Sequence, residues 1–323
     1  MRYWKKVAAL FCAASATSFS SFAIAQETAK GKAPAEVLQG RWDLTVHGKN
    51  GDYPSWIEVT KSGSKTLVGR YVGQFGSARP IAHVQITDST FHFVVPPQWE
   101  GRKTDVVVEG KIDGDRLSGT VTGDDGKELN WEAVRAPKLE REAGKPVGNS
   151  IEVFNGTDLK GWKPQFADRK NGWVVRDGLL SNVAPGNNLM TEEKFDDFEL
   201  NVEFRYPQGS NGGIYLRGRY EVQIEDNFGL EADSHRIGGV YGYLTPSFNA
   251  ARKAGEWQEA TIRLVGRRVT VMLNGKRVID EQIIPGVTGG ALDSREAEPG
   301  PLLLQGDHGP VEFRKVQLQK LSR

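Results

Sequence analysis

"DFELNVEFRYPQGSNGGIYLRGRYEVQIED" spans Asp197 to Asp226, and its apolar residues recur at every second position. In the first half Phe198, Leu200, Val202 and Phe204 fall on one side, and Glu199, Asn201, Glu203 and Arg205 on the other. In the second half Ile214, Leu216, Tyr220, Val222 and Ile224 share one side, while Tyr215, Arg217, Arg219, Glu221, Gln223 and Glu225 share the opposite one. A period of two marks strands with one buried and one polar face. Further on, "ATIRLVGRRVTVMLNGKRVID" (Ala260–Asp280) reads as a hairpin pair with Asn274-Gly275 as its tight turn. Antiparallel strands in this number, with no helical periodicity to cover them, predict an all-β two-sheet sandwich over residues 151–323.

Upstream the strands are shorter. "RWDLTVHG", "PSWIEVTKSG", "TLVGRYVGQFG", "IAHVQITDSTFHFVV" and "VVVEGKIDGDRLSGTVTGDDGKELNWEAV" are evenly spaced and broken by Asp-Gly turns. They predict a small antiparallel β-barrel-like domain over residues 37–136. Trp42, Trp56, Trp99 and Trp131 read as packing residues of this unit rather than a ligand cage. Between the two units, "RAPKLEREAGKPVGNS" (Arg135–Ser150) is charged, holds two prolines and lacks an apolar period, so residues 137–150 read as a linker.

The first residues carry a different signal. Arg2, Lys5 and Lys6 precede the apolar stretch Val7–Phe22, and Ala23-Ile24-Ala25 offers a small-x-small cleavage site. Residues 1–25 therefore read as a secretory signal peptide, which predicts a periplasmic or secreted protein with no membrane association after its removal. The chain's one cysteine, Cys12, lies inside that segment, so the mature chain has no thiol for catalysis, disulfides or Cys-zinc sites. The 42 basic and 41 acidic residues nearly cancel and form no basic stripe, which argues against nucleic acid and for a neutral or weakly charged small-molecule ligand.

The polar face of the long strands is unusual in composition. Glu203, Arg205, Tyr215, Arg217, Glu221 and Gln223 are planar hydrogen-bonding groups with an aromatic among them, suited to reading paired hydroxyls. The plainer alternative is a cross-strand Glu–Arg ladder, at roughly 0.2–1 kcal/mol per pair. Four glycine-rich edges, "GSNGGIYLRG", "HRIGGVYGY", "GVTGGALDS" and "LLLQGDHGP", favour a lined cleft. None is a phosphate cradle, since "GSNGG" opens a strand and not a helix. Asp293, Glu296 and Glu298 in "LDSREAEPG" read as a solvated acidic loop or, alternatively, as oxygen ligands for calcium.

Seven stretches resemble, in order, the 3-keto-disaccharide hydrolase domain family. They are "VFNGTDLKGWKP", "NGWVVRDGLL", "FDDFELNVEFRYPQGSNGGIYLRGRYEVQIED", "GGVYGY", "AGEWQEATI", "VMLNGKRV" and "GPLLLQGDHGPVEFRKVQL". The resemblance covers Ile151 to Leu318 and leaves the first unit unassigned. It departs from the common family pattern at Ser210 and Lys315, neither of them at an acid, amide or histidine position of interest. It implies a concanavalin-like jelly-roll sandwich acting on a carbohydrate already oxidised to a ketone at carbon 3. Such a ketone acidifies the proton on carbon 2, so the glycosidic oxygen can leave by β-elimination and water can then add. The chemistry asks for a base, an enolate stabiliser and an acid.

On that reading His308, Glu221 and Asp307 are the candidate catalytic residues, with Asp307 orienting His308 if a turn lets adjacent residues meet. Glu203, Arg205, Asn211, Arg217, Gln223, Tyr241 and Gln305 are the candidate substrate-binding residues, and His235 reads as a loop surface residue. Which of Glu221 and His308 is base or acid, the oligomeric state, and a divalent metal helping to polarise the ketone are all left open, and no cofactor is assigned. Three rivals stand beside it: a non-catalytic carbohydrate-binding sandwich, a glycosidase of unoxidised sugars using Glu203 with Glu221, and a scaffold whose first unit binds a partner.

Overall fold

The computed structural model describes residues 31–97, 103–123, 125–142 and 144–323. The expected signal segment with Cys12, and Trp99, lie outside them. The first unit is one nine-stranded antiparallel sheet. It runs from Arg79–Ile81 through Thr66–Val72, Gly51–Ser62, Gly40–Gly48, Glu128–Arg135, Arg116–Thr122, Val106–Asp113 and Thr90–Val95 to Gln85–Thr87. Its two edge strands are consecutive in the chain, joined by residues 82–84 alone. Laid flat, the edges would stand roughly 38 Å apart at the usual strand spacing, whereas so short a link spans at most about 14 Å. The sheet must therefore curl until its edges meet, and the edge strand Arg79–Ile81 lies against Thr90–Val95 from the other end of the sheet. Trp42, Ile57, Phe91, Phe93, Val108 and Trp131 fill the interior, and a short helix, Pro34–Leu38, adds Leu38 to it.

The second unit is the expected sandwich. Its larger sheet orders Trp173–Arg176, Leu179–Asn182, Val311–Lys320, Phe198–Arg205, Gln258–Val265, Arg268–Leu273 and Lys276–Ile283, with Ile151–Glu152 paired beside Val311–Lys320. The smaller orders Trp162–Pro164, Leu189–Thr191, Leu303–Leu304, Asn211–Leu216 and Tyr220–Glu225. The alternation dictates what meets between them: Phe198, Leu200, Val202 and Phe204 from one sheet, Ile214, Leu216, Tyr220, Val222 and Ile224 from the other, all buried in one core. Asn274 and Gly275 form the two-residue turn, both at positive φ (51° and 76°), as a right-twisted hairpin requires.

Residues 137–150 are strapped along the sandwich. Arg141 forks onto Asp197 at 2.6 Å and reaches Asp196 at 2.9 Å, and Val147 N donates to Lys320 O at 2.9 Å. The curled sheet is also docked directly. Trp56 belongs to its second strand, yet with Val72 it is buried in the sandwich core, its Nε1 donating to Val287 O at 2.9 Å. Arg41 is buried at the same junction against Asp43, Glu296 and Pro285 O, and Ser294 Oγ donates to Leu44 O at 2.8 Å. Glu296, expected in a solvated loop, is fully buried there between Arg41 and the Tyr220 hydroxyl. Trp56→Ala should cost about 3–5 kcal/mol, the range for removing a large buried aromatic. Urea unfolding followed by tryptophan fluorescence and circular dichroism checks it, and a loss under about 1 kcal/mol would mean the docking is loose.

Candidate active site

The hairpin Asn211–Leu216/Tyr220–Glu225 sets Tyr215 opposite Glu221 and Gly213 opposite Gln223. Their neighbours in sequence fill the core, so Tyr215, Glu221 and Gln223 project from the outer face of the smaller sheet. An outer face is ordinarily wet. Here it is covered, and Glu221 is only 3% exposed. Residues 238–241 run along the free edge, with Gly238 N donating to Gln223 O, Gln223 N to Gly239 O and Tyr241 N to Glu221 O, all at 2.9–3.0 Å. The 288–290 loop closes the turn end, where Thr288 Oγ1 accepts from Glu221 N at 3.0 Å.

Burial decides the state of the Glu221 carboxyl. Desolvation pushes it up to about 8, against the opposing pull of the Tyr215 hydrogen bond and the positive field of His308. The Tyr215 hydroxyl lies 2.8 Å from Glu221 Oε2 and 3.0 Å from Gly289 O. One hydroxyl proton therefore serves both protonation states. When Glu221 is neutral it donates to Tyr215, which donates on to Gly289 O; when Glu221 is ionised, Tyr215 turns its proton to the carboxylate. In the amide orientation that satisfies its neighbours, Gln223 donates to Glu221 Oε1 at 3.2 Å and accepts from Asn211 Nδ2 at 3.1 Å. Gly213 is a glycine for a steric reason, since a Cβ there would collide with the Glu221 carboxyl.

The neighbouring strand Leu303–Leu304 delivers the other half. Leu304 faces the core, Gln305 lies on the site side, and Gln305 N donates to Gly213 O at 2.9 Å. The Gln305 Oε1 is buried with no hydrogen-bond partner among the described residues. The chain then turns, and the turn lets adjacent residues meet: His308 Nδ1 lies 2.7 Å from Asp307 Oδ1. That bond raises the imidazole and depresses the carboxyl, each despite partial burial, and the field of Glu221 raises His308 further. Both side chains remain half-exposed. A buried, proton-holding carboxyl thus faces an accessible imidazole biased towards its cation. Ser210 holds the two parts together, its Oγ donating to Pro310 O at 2.6 Å.

The structure gathers Glu221, His308, Asp307, Asn211, Gln223, Gln305 and Tyr241, and it corrects three other expectations. Glu203 and Arg205 lie on the outer face of the larger sheet, paired with Arg314 at 2.5 Å and Glu312 at 2.6 Å. Both guanidiniums, of Arg205 and Arg314, cover Trp257. This is the salt-bridge ladder, and the whole sandwich separates it from Glu221, so the paired-carboxylate reading of Glu203 with Glu221 fails. Arg217 falls in the hairpin turn at φ 53°, where the chain leaves the sheet. Its buried guanidinium donates to Gly266 O at 2.5 Å and Glu296 O at 3.2 Å, on the junction between the two units.

Two groups escaped notice. Tyr215 was recoverable, because folding the hairpin about the three-residue turn Arg217-Gly218-Arg219 puts it opposite Glu221. Thr288, 67 residues from Glu221, carries no local signal. His235, expected as a loop surface residue, is about half-exposed, its ring edge-to-face with Tyr241 at 4.8 Å between centroids and its Nε2 2.6 Å from Ser77 Oγ. Among the described residues no three His, Cys, Asp or Glu side chains cluster as metal ligands; Asp293 and Glu298 turn to arginines. A hollow of about 630 Å³ beside Phe228, Leu230 and Phe248 has Glu231 as its one titratable lining residue, and a second, of about 500 Å³, is lined by Asp43, Asp52, Asp293, Glu296 and Glu298 at the junction of the two units.

Known proteins were compared with this arrangement. The family model described as the 3-keto-alpha-glucoside-1,2-lyase-like domain matches residues 149–319. A 3-keto-disaccharide hydrolase of Bacteroides thetaiotaomicron is 24% identical over 167 residues, which are 40% of this chain and 57% of that protein. The chain thus spans little more than half the length of this curated relative. A Parabacteroides distasonis protein described as a candidate glycosyl hydrolase is 26% identical, covering 57% of this chain and 93% of its own, with a TM-score of 0.45. LamA of Z. galactanivorans, solved with laminaritriose and laminaritetraose, is 14% identical over 55% of this chain and all of its own, with a TM-score of 0.38.

The burial of Glu221 has a stability signature. Folded, the carboxyl keeps its proton to about pH 8, whereas an ordinary glutamate releases it near 4.5. Between those values the native chain binds more protons than the unfolded one, so its stability falls as pH rises. Glu221→Gln cannot titrate and should remove that fall. Calorimetry should find its Tm advantage small near pH 5 and growing towards pH 8; an advantage that shrinks with pH would contradict the burial argument.

Proposed function

The chain belongs, through residues 149–319, to the 3-keto-alpha-glucoside-1,2-lyase-like domain family, and from that premise we propose that it cleaves the glycosidic bond of 3-keto-disaccharides or 3-keto-glycosides by elimination and hydration. The observation that carries this reading is the Glu221 carboxyl, buried and raised to about 8, beside an imidazole that the Asp307 hydrogen bond biases towards its cation. A carboxylate whose conjugate acid sits near 8 is a far stronger base than a solvated one, which suits removal of a carbon-bound proton made acidic by a neighbouring ketone.

In the proposed sequence Glu221 takes the proton from carbon 2. The released pair forms the carbon 1–carbon 2 double bond, conjugated with the carbon 3 ketone, and the carbon 1–oxygen bond breaks. His308 gives its proton to the departing oxygen. Water then adds at carbon 1, with its proton returning to His308, and Glu221 hands its proton back to carbon 2. The sum consumes one water and yields a 3-keto-sugar and an alcohol. Gln305, with its unpartnered carbonyl oxygen, and Gln223 and Tyr241 are positioned to hold hydroxyls. The export reading of residues 1–25 places this reaction in the periplasm or outside the cell.

The test follows the carbon 2 hydrogen. A 3-keto-disaccharide deuterated there should turn over more slowly or lose label to water, and kcat/KM should rise with pH towards a limb near 8 as Glu221 ionises. Glu221→Gln should lower turnover by about 10²–10⁴-fold, the usual worth of a positioned proton-transfer group, and His308→Ala should slow release of the leaving sugar. Retention of the label at an unchanged rate would exclude elimination.

A further inference from the structure

The loop between Thr66–Val72 and Arg79–Ile81, residues 73–78, belongs to the curled sheet and lies outside the family domain. It nevertheless ends up over the catalytic hairpin, fixed on two sides. On one side Gln74 O accepts from Gly290 N at 2.9 Å, and Gly76 packs so tightly on Gly289 that no Cβ fits between them. The carbonyl of Gly289 is the one that the Tyr215 hydroxyl shares with Glu221. On the other side Ser77 Oγ meets His235 Nε2 at 2.6 Å, and His235 Nδ1 meets Asp233 Oδ1 at 2.8 Å. This string has the order of an acyl-transfer relay, but Ser77 is pressed onto Gly242, and His235 and Asp233 are both about half-exposed. It acts as a latch.

Within this pinned loop Phe75 is 65% exposed, more than any other large apolar side chain among the described residues. A phenyl ring this exposed, on a loop whose backbone abuts Gly289, offers a surface for the C–H face of a sugar. The register says which part of the sugar. Along the hairpin the order runs from Asn211, next to the His308 turn, through Gly213–Gln223 to Tyr215–Glu221. Thr288 and Gly289 follow at the turn end, where Thr288 N donates to Arg219 O. Glu221 therefore lies between His308 and the Phe75 loop.

Resting on the elimination reading above, with His308 at the leaving oxygen, we infer that Phe75 forms the wall of the subsite for the ketone-bearing ring, packing against the carbon 4–carbon 6 end remote from the leaving oxygen. The curled sheet thereby sets which keto-sugar the sandwich accepts, while the leaving group extends past His308.

Two comparisons separate the alternatives. In the full-length protein, methyl 3-keto-glucoside against methyl 3-keto-xyloside, which lacks carbon 6, varies the keto ring; a 3-keto-disaccharide against methyl 3-keto-glucoside varies the leaving group. Phe75→Ala should lower the hexoside-to-pentoside ratio of kcat/KM about tenfold, the low end of the discrimination that one methylene gives in an apolar pocket. It should leave the disaccharide-to-methyl ratio within about twofold, and Phe75→Tyr should restore the hexoside preference. A shift in the leaving-group ratio, or in neither ratio, would overturn the inference while the reaction stands. A parent protein inert on all three substrates would overturn the reaction and this subsite together.

Discussion

A carboxyl group kept out of water is the constraint around which the site is organised. Desolvating Glu221 is unfavourable for its ionised form, so its surroundings must supply hydrogen bonds in either state and leave no room for solvent. Tyr215 supplies the first by sharing one proton between the carboxyl and Gly289 O. Gly213 supplies the second by having no side chain. The edge segment 238–241 and the 288–290 loop finish the enclosure. Each of these features has a bland reading in isolation, and only their convergence on one oxygen pair gives them a shared purpose.

The enclosure in turn depends on tertiary docking. The smaller sheet has just five strands, and its outer face would be open were nothing laid across it. The 288–290 loop is held from behind by the Gln74 and Gly76 backbone, and the segment leading into it is held by Trp56 and Tyr243, both donating to Val287 O. The polar cluster of Arg41, Glu296, Tyr220 and Arg217 then rivets the turn end of the hairpin to the curled sheet. The position of the buried carboxyl is thus tied to contacts made by residues far from it in the chain.

Much of this was legible in the sequence, and the failures have physical causes. Alternation gave both faces of the strand Phe198–Arg205 and placed Glu221 and Gln223 together. Period-two reasoning says which face of its own sheet a residue occupies, but not which sheet, so Glu203 and Arg205 were grouped with groups on the far side of the sandwich. Counting straight through Arg217-Gly218 likewise carried two arginines onto a face that the turn had already left. The pairing of adjacent Asp307 and His308 required a turn, and the glycines around them announced it. Nothing local could announce the 73–78 loop, because its partners lie more than 150 residues away and are chosen by packing alone.

Trp56 and Val72 sit in the hydrophobic interior of a sandwich whose family boundary begins at residue 149. The segment that evolution passes on as a recognisable module and the segment that must acquire its structure together are consequently different lengths of chain. A lineage carrying only the sandwich would need other side chains in the space those two fill. Exchange of the leading sheet between relatives would then be governed by the fit of that shared interior before any question of catalysis arose.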